Sequence, residues 1–232
     1  MSLGDDLARE VRETFSTHWD TQSARTVPAP DDLRLNANHA KEIETATILY
    51  ADLDGSTNMV DNLSWQISAE IYKTFLRCAS QIIRSEQGSI IAYDGDRVMA
   101  LFTGDEQCTA AVRCALKINY AVVEIIQPAF KDQYQSKDFT VKHVVGIDTS
   151  PLRAARIGVH GDNDLVWVGR AANYAAKLTS LPDKAIWITK FVHDMMDSSV
   201  KHSKGTPMWE QRSWTAMNNA PIYCSTYMWR VE

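Results

Sequence analysis

The 232-residue sequence predicts an α+β fold, and three observations carry that prediction. From Ile43 onward, short apolar runs rich in β-branched residues alternate with stretches whose apolar residues recur at helical spacing. Between the first two long helical stretches lie two apolar runs joined at Asp94-Gly95, a hairpin signal. Finally, 45% of the residues are hydrophobic, enough to bury a core and to exclude global disorder.

Taken in order, the elements begin with Leu7, Val11, Phe15 and Trp19, which recur every four residues as one stripe of an amphipathic helix. TVPAPDD then reads as a linker. This segment, residues 1–42, is expected to pack on its own domain or on a sister subunit, and residues 43–232 to form the main domain. ATILYADL reads as a buried strand ending in the turn DGST. Ile67, Ile71, Phe75, Cys78 and Ile82 mark a helix over 64–87, stopped by Gly88. SIIAYDGDRVMALF is the hairpin, with Asp94-Gly95 as a type I′ turn, and 105–126 is a second long helix closed before Pro128. FTVKHVVGID alternates as a half-buried strand, followed by an irregular stretch and the strand DLVWVG. RAANYAAKL is an Ala-rich helix, KAIWIT a strand, FVHDMM a short helix, and IYCSTYMWRV a closing strand. The order β-α-β-β-α-β is the split βαβ, or ferredoxin-like, arrangement.

Composition narrows the function. The net charge is −5 and no dense Lys/Arg block occurs, which argues against nucleic acid or an anionic membrane as partner. Cys78, Cys108, Cys114 and Cys224 form no CxxC pair and read as reduced, mostly buried thiols. The first residues carry no cationic, apolar leader, and no apolar run approaches the roughly 20 residues of a membrane span. A cytoplasmic protein is expected.

The chemistry concentrates in three places. Asp52 ends an apolar strand, where a carboxylate is costly to bury unless it meets a cation. The small-residue turn after it, with Gly55, Ser56 and Thr57, offers backbone N–H groups to phosphates. Asp96 lies just past the hairpin tip, so two strand-end carboxylates could hold two hard cations on a polyphosphate. Asp94 is explained by the turn alone. Asn173 and Lys177, at i and i+4, project from one helix face, an amide and a cation suited to steadying a phosphoryl group under attack.

TILYADLDGST resembles the first metal-binding strand of the class III adenylyl/guanylyl cyclases, AYDGDRVMALF their second metal hairpin, and VGRAANYAAKL their asparagine-bearing helix. The three elements stand in family order, and the likeness covers roughly residues 43–232. It implies a two-metal site, Mn²⁺ or Mg²⁺, held by Asp52, Leu53 and Asp96. It further implies Asn173 on the ribose and a homodimer with shared sites. Lys177 falls where the family carries its transition-state arginine, and Lys lacks that residue's bidentate fork. The family's distal phosphate lysine has no clear counterpart, with Lys204 and Arg212 as candidates. At the positions where adenylyl cyclases read the base stand Ala92 and Val166, neither able to hydrogen-bond through its side chain. Tyr50 shares a strand face with Asp52 and edges that pocket.

Those absences and the compact build resemble the pyrimidine cyclases of bacterial Pycsar antiphage systems, which make a cyclic nucleotide for a separate effector. The resemblance therefore implies conversion of UTP, or else CTP, to the 3′,5′-cyclic monophosphate and pyrophosphate. The alternatives are an ordinary adenylate or guanylate cyclase and a degenerate cyclase-like domain that binds nucleotide and regulates a partner.

Overall fold

The computed structural model describes residues 2–232. The elements are α1 (Leu3–Ser16), β1 (Asp20–Ser23), β2 (His39–Leu53), α2 (Ser56–Asn62), α3 (Trp65–Ser85), β3 (Ser89–Asp94) and β4 (Arg97–Phe102). Next come α4 (Gln107–Tyr120), a π-helical turn over Ala121–Ile126, α5 (Gln127–Gln133), β5 (His143–Val159), β6 (Asp162–Val168) and α6 (Arg170–Leu178). The C-terminal part holds β7 (Ile186–Thr189), α7 (Lys190–Met195), β8 (His202–Ser203), β9 (Thr206–Pro207), β10 (Glu210–Trp214) and β11 (Ala220–Ser225).

The main sheet runs β10-β11-β7-β5-β2-β4-β3, with β1 pairing β2 and β6 pairing β5. Its segment β5-β2-β4-β3 is the split βαβ order, because each helical crossover skips one antiparallel strand. Alternation along β2 sends Leu49, Ala51 and Leu53 into the large core under α3 and α4. Ile48 and Tyr50 therefore face the other side, where α6 packs over part of the sheet. That unequal covering leaves a half-open shelf beside α6 on which Tyr50, Asp52, Ala92 and Arg97 are only partly buried.

Several expectations need correction. The β5 strand runs straight through the stretch expected to be irregular. Its register with β2 shifts between Ile43 and Ala46, opposite Pro151, so the bulge removes the ladder position that a missing N–H could not fill. Pro128 does not close the second helix: the chain widens to π geometry at Ala121–Ile126, and Pro128 sits in the first turn of α5. The left-handed residue that ends α3 is Gln87, at φ 63°, while Gly88 is required because a Cβ there would meet Phe102 at 2.6 Å. The β5 strand begins only at His143. The last strand stops at Ser225, since Asn119 holds the Thr226 and Tyr227 carbonyls and Trp229 N–H bonds Leu116 O, drawing the tail over α4.

The N-terminal helix forms, with a Ser2–Asp5 capping box, but it ends at Ser16, before Trp19. It does not pack on its own domain: no residue of α1 is buried, and Leu3, Leu7, Val11 and Phe15 are each at least half exposed. Hydrogen bonds fix its end, the Asn38 amide donating to the carbonyls of Thr14 and Thr17. The strand β1 beyond it, unforeseen, pairs in parallel with His39–Glu42.

Candidate active site

Strand β2 delivers Asp52, and the β3–β4 hairpin delivers Asp96. The last hairpin pair is Asp94 with Arg97, so the two loop residues are Gly95 and Asp96. Gly95 has φ 60° and Asp96 has no positive φ, which matches the II′ class rather than the expected I′. Asp96 is thus at the tip itself, not past it. The β2–β4 register pairs Tyr50 with Met99 and Ala51 with Val98, which places Asp52 beside Arg97 at the next step. The Arg97 Nε lies 3.7 Å from Asp52 Oδ2, an ion pair too long for a hydrogen bond.

The electrostatics of this corner are incomplete. Burial pushes the Asp52 carboxyl up to about 6, Arg97 pulls it down, and the neighbouring Asp96 charge pushes it up again. One Asp96 oxygen, Oδ2, is buried with no hydrogen-bond partner, as is Arg97 Nε. Hard oxygen donors with an orphaned lone pair fit a divalent cation such as Mg²⁺ or Mn²⁺. Among the described residues no cluster of three or more His, Cys, Asp or Glu gathers as a metal site, so these two carboxylates would need further oxygens from a ligand. Leu53 turns its side chain into the core and can offer only its main-chain carbonyl.

A pH effect follows from the raised carboxyl. Because its folded value, about 6, exceeds the ordinary 3.8, the folded chain holds a proton that the unfolded chain has released. The sign is then fixed: Asp52 adds stability below pH 4, and that contribution is lost as pH rises through 6. Metal-free protein should therefore lose on the order of 2 kcal/mol from this group between pH 4 and 7. Urea unfolding of wild type and Asp52→Asn across that range, with chelator present, checks it; the variant should lack this part of the slope.

The turn after Asp52 is positioned by Asp54 N–H donating to Lys142 O. Gly55, at φ 73°, opens the seven-residue α2, and no side chain caps its first N–H groups. Ser56 is half-buried and Thr57 exposed. Tyr50 and Ala92 both pair with Met99, one from each side, and pack on the α6-side core, and burial raises the Tyr50 hydroxyl. Val166 sits apart, on β6 opposite Ala155.

Asn173 and Lys177 are both exposed on α6, and neither touches Asp52 or Asp96 among the described residues; Lys177 Nζ approaches Met217 Sδ at 4.0 Å. The helix itself is locked to β5. A Cβ on Gly146 would meet Ala175 O at 2.2 Å, and one on Gly169 would meet Pro151 O at 2.6 Å. Asp148, fully buried, accepts from Arg170 Nε at 3.0 Å and Thr189 Oγ1 at 2.5 Å, and Arg170 lies over the Phe191 ring at 3.9 Å. Ser150 Oγ accepts the Ala171 N–H. Of the two phosphate candidates, Arg212 pairs with Glu210 at 2.7 Å, and Lys204 lies in the β8–β9 turn at φ 50°.

Sequence reasoning did not single out Arg97 or Asp148. Both had a legible signal: Arg97 follows Asp96 and falls opposite Asp52 once the hairpin is registered, and Asp148 is a charge inside an apolar strand, VVGID.

Three comparisons bear on this arrangement. Residues 38–211 match the family described as the adenylate and guanylate cyclase catalytic domain. Over their whole lengths, the chain and a protein named uridylate cyclase from Burkholderia cepacia are 58% identical; for one of the same name from Xanthomonas perforans the value is 49%. The fold is similar to the crystal structure of the guanylyl cyclase Cya2, with TM-score 0.67, 18% identity, and coverage of 81% of this chain and 94% of that one.

Proposed function

The chain belongs to the adenylate and guanylate cyclase catalytic domain family, and from that premise we propose that it is a uridylate cyclase. The reaction is closure of UTP to cyclic UMP with release of pyrophosphate. The observation that carries this reading is the 58% full-length identity to a protein named uridylate cyclase. The shelf beside α6 supports it: Ala92 offers no side-chain hydrogen bond to a purine edge, and Tyr50 presents a ring with a hydroxyl; Val166, apart on β6, is equally unable to hydrogen-bond a base.

In this mechanism Asp52 and Asp96, with the Leu53 carbonyl, would hold two Mg²⁺ or Mn²⁺ ions. When bound, such ions lower the charge on the triphosphate and make the ribose 3′-oxygen a better nucleophile. The uncapped N–H groups of Gly55, Ser56 and Thr57 receive phosphate oxygens. Tyr50 packs on the base. Asn173 orients the ribose so that its 3′-oxygen lies in line with the α-phosphorus, and Lys177 offsets the charge that develops there. The 3′-hydroxyl gives up its proton to solvent, its oxygen bonds the α-phosphorus while the bond to the bridging oxygen breaks, and pyrophosphate departs.

Asn173 and Lys177 are exposed on α6 and, among the described residues, make no hydrogen bond or ion pair with the same chain's aspartates, which supports assigning them to the site of a second copy, in a homodimer with two equivalent sites. No described helix is long and apolar enough to cross a membrane. A cytoplasmic setting, and release of the product as an antiphage signal read by a separate effector, complete the proposal.

Base choice is the direct test. With ATP, GTP, CTP and UTP equimolar in Mn²⁺ buffer, mass spectrometry should find cyclic UMP at least about tenfold above cyclic AMP, the ratio reporting relative kcat/KM. Dominant cyclic AMP would overturn the pyrimidine assignment. Tyr50→Ala should flatten the preference; an unchanged product profile would return Tyr50 to a packing role.

A further inference from the structure

The corner between Asp52 and Asp96 already contains a cation. Arg97 follows Asp96 in the chain and neighbours Asp52 across the β2–β4 ladder, so the hairpin register keeps its guanidinium beside Asp52, one residue from Asp96. Its Nε stands 3.7 Å from Asp52 Oδ2, yet it is buried and hydrogen-bonded to nothing. The opposing Asp96 Oδ2 is buried and unpartnered too. A pair that served structure alone would close to hydrogen-bonding distance and use its donors, as Arg113 Nε does with Glu86 at 2.9 Å. Here charge neutralises charge at arm's length, with Arg97 Nε and Asp96 Oδ2 both buried and unpartnered.

We infer that Arg97 is a resident counter-cation that keeps bare divalent ions weakly bound, so that the metals are held firmly only together with a triphosphate. The inference rests on Asp52 and Asp96 being the metal pair. Two carboxylates and one guanidinium carry a net charge of about −1, which attracts a divalent ion far less than the pair alone. A triphosphate brings about four negative charges, which restores the attraction. It also offers the guanidinium an anion in place of Asp52. Arg97 is thus a positioning residue: it acts through the carboxylates and leaves Asp52 when the ligand enters.

Binding, not turnover, tests this. Mn²⁺ is titrated into nucleotide-free protein and followed by electron paramagnetic resonance of the free ion. Arg97→Met should bind Mn²⁺ at least about tenfold more tightly than wild type, a lower bound from removing one charge about 4 Å from the ion. Arg97→Lys, which keeps the charge, should bind nearly as weakly as wild type. With a non-cyclisable UTP analogue present, the advantage of Arg97→Met should shrink or reverse. Equal or weaker Mn²⁺ binding by Arg97→Met would overturn the inference, and Arg97→Gln supplies the same comparison if the Met variant misfolds. The double variant Asp52→Asn/Arg97→Met separates the two layers. If it still binds tightly, the metal assignment itself is wrong; if it loses Mn²⁺, the assignment stands and Arg97 is judged on the single variants.

Discussion

Asp52→Asn and Asp96→Asn should each lower cyclisation by at least about a thousandfold, equivalent to roughly 4 kcal/mol of transition-state stabilisation. Asn keeps the size and one oxygen but removes the charge that a divalent ion needs. The fold should survive both changes. Asp96 lies at a hairpin tip, where Asn suits the turn, and Asp52 has a carboxyl already pushed toward neutrality by burial. Steady-state assay of UTP turnover, paired with thermal unfolding, measures the two effects separately. Turnover near wild type in either variant would remove that residue from the site. For Asp52→Asn the unfolding midpoint of metal-free protein at pH 7 should hold or rise, since a buried anion has been removed.

Mixing two inactive proteins should restore activity. Asp96→Asn lacks a metal ligand, and Asn173→Ala lacks the ribose contact. In a dimer with shared sites, a mixed pair carries both lesions in one site and neither in the other. Equal mixing with random exchange makes about half the dimers mixed, so about a quarter of all sites become intact by that symmetry. Each protein alone should stay near background. Exchange itself is followed by native mass spectrometry with one chain isotopically labelled. No recovery despite exchange would place the aspartates and α6 in a single-chain site. The exposed positions of Asn173 and Lys177, with no bond to the aspartates of their own chain, favour recovery.

How far the sequence could be read depended on the range of the force involved. Strand and helix periodicity, and the order that yields the sheet β5-β2-β4-β3, were legible because they depend on residues close in the chain. Asp52 and Asp96 could be singled out as strand-end and hairpin charges for the same reason. Most of the misreadings involve a partner or a backbone geometry that the local pattern does not encode. The stretch after FTVKHVVGID was expected to be irregular, yet β5 runs through it, with Pro151 accommodated by the bulge on β2. Pro128 looked like a helix stop, and only the preceding π turn accommodates it. The tail alternates like a strand, but Asn119, more than a hundred residues earlier, takes its carbonyls. The apolar stripe of α1 predicted a buried helix face that its own chain does not cover. The Arg97–Asp52 pair required cross-strand register, which the turn class shifted by one residue from expectation.

The close seat of α6 on β5 has a mechanical consequence. Gly146 and Gly169 allow backbone contact, Asp148 and Arg170 bolt the helix start, and β5 is laddered to β2 from Ala40 to Leu53. Asp52 and Asn173 of one chain are therefore parts of a single rigid block, and their separation cannot be tuned from within. In the proposed homodimer, a signal that changes the rate would have to turn one block against the other, altering how the aspartates of one chain meet the asparagine of its partner. Such a dimer would behave as a clutch with one principal axis, and that axis would run between the proposed subunits.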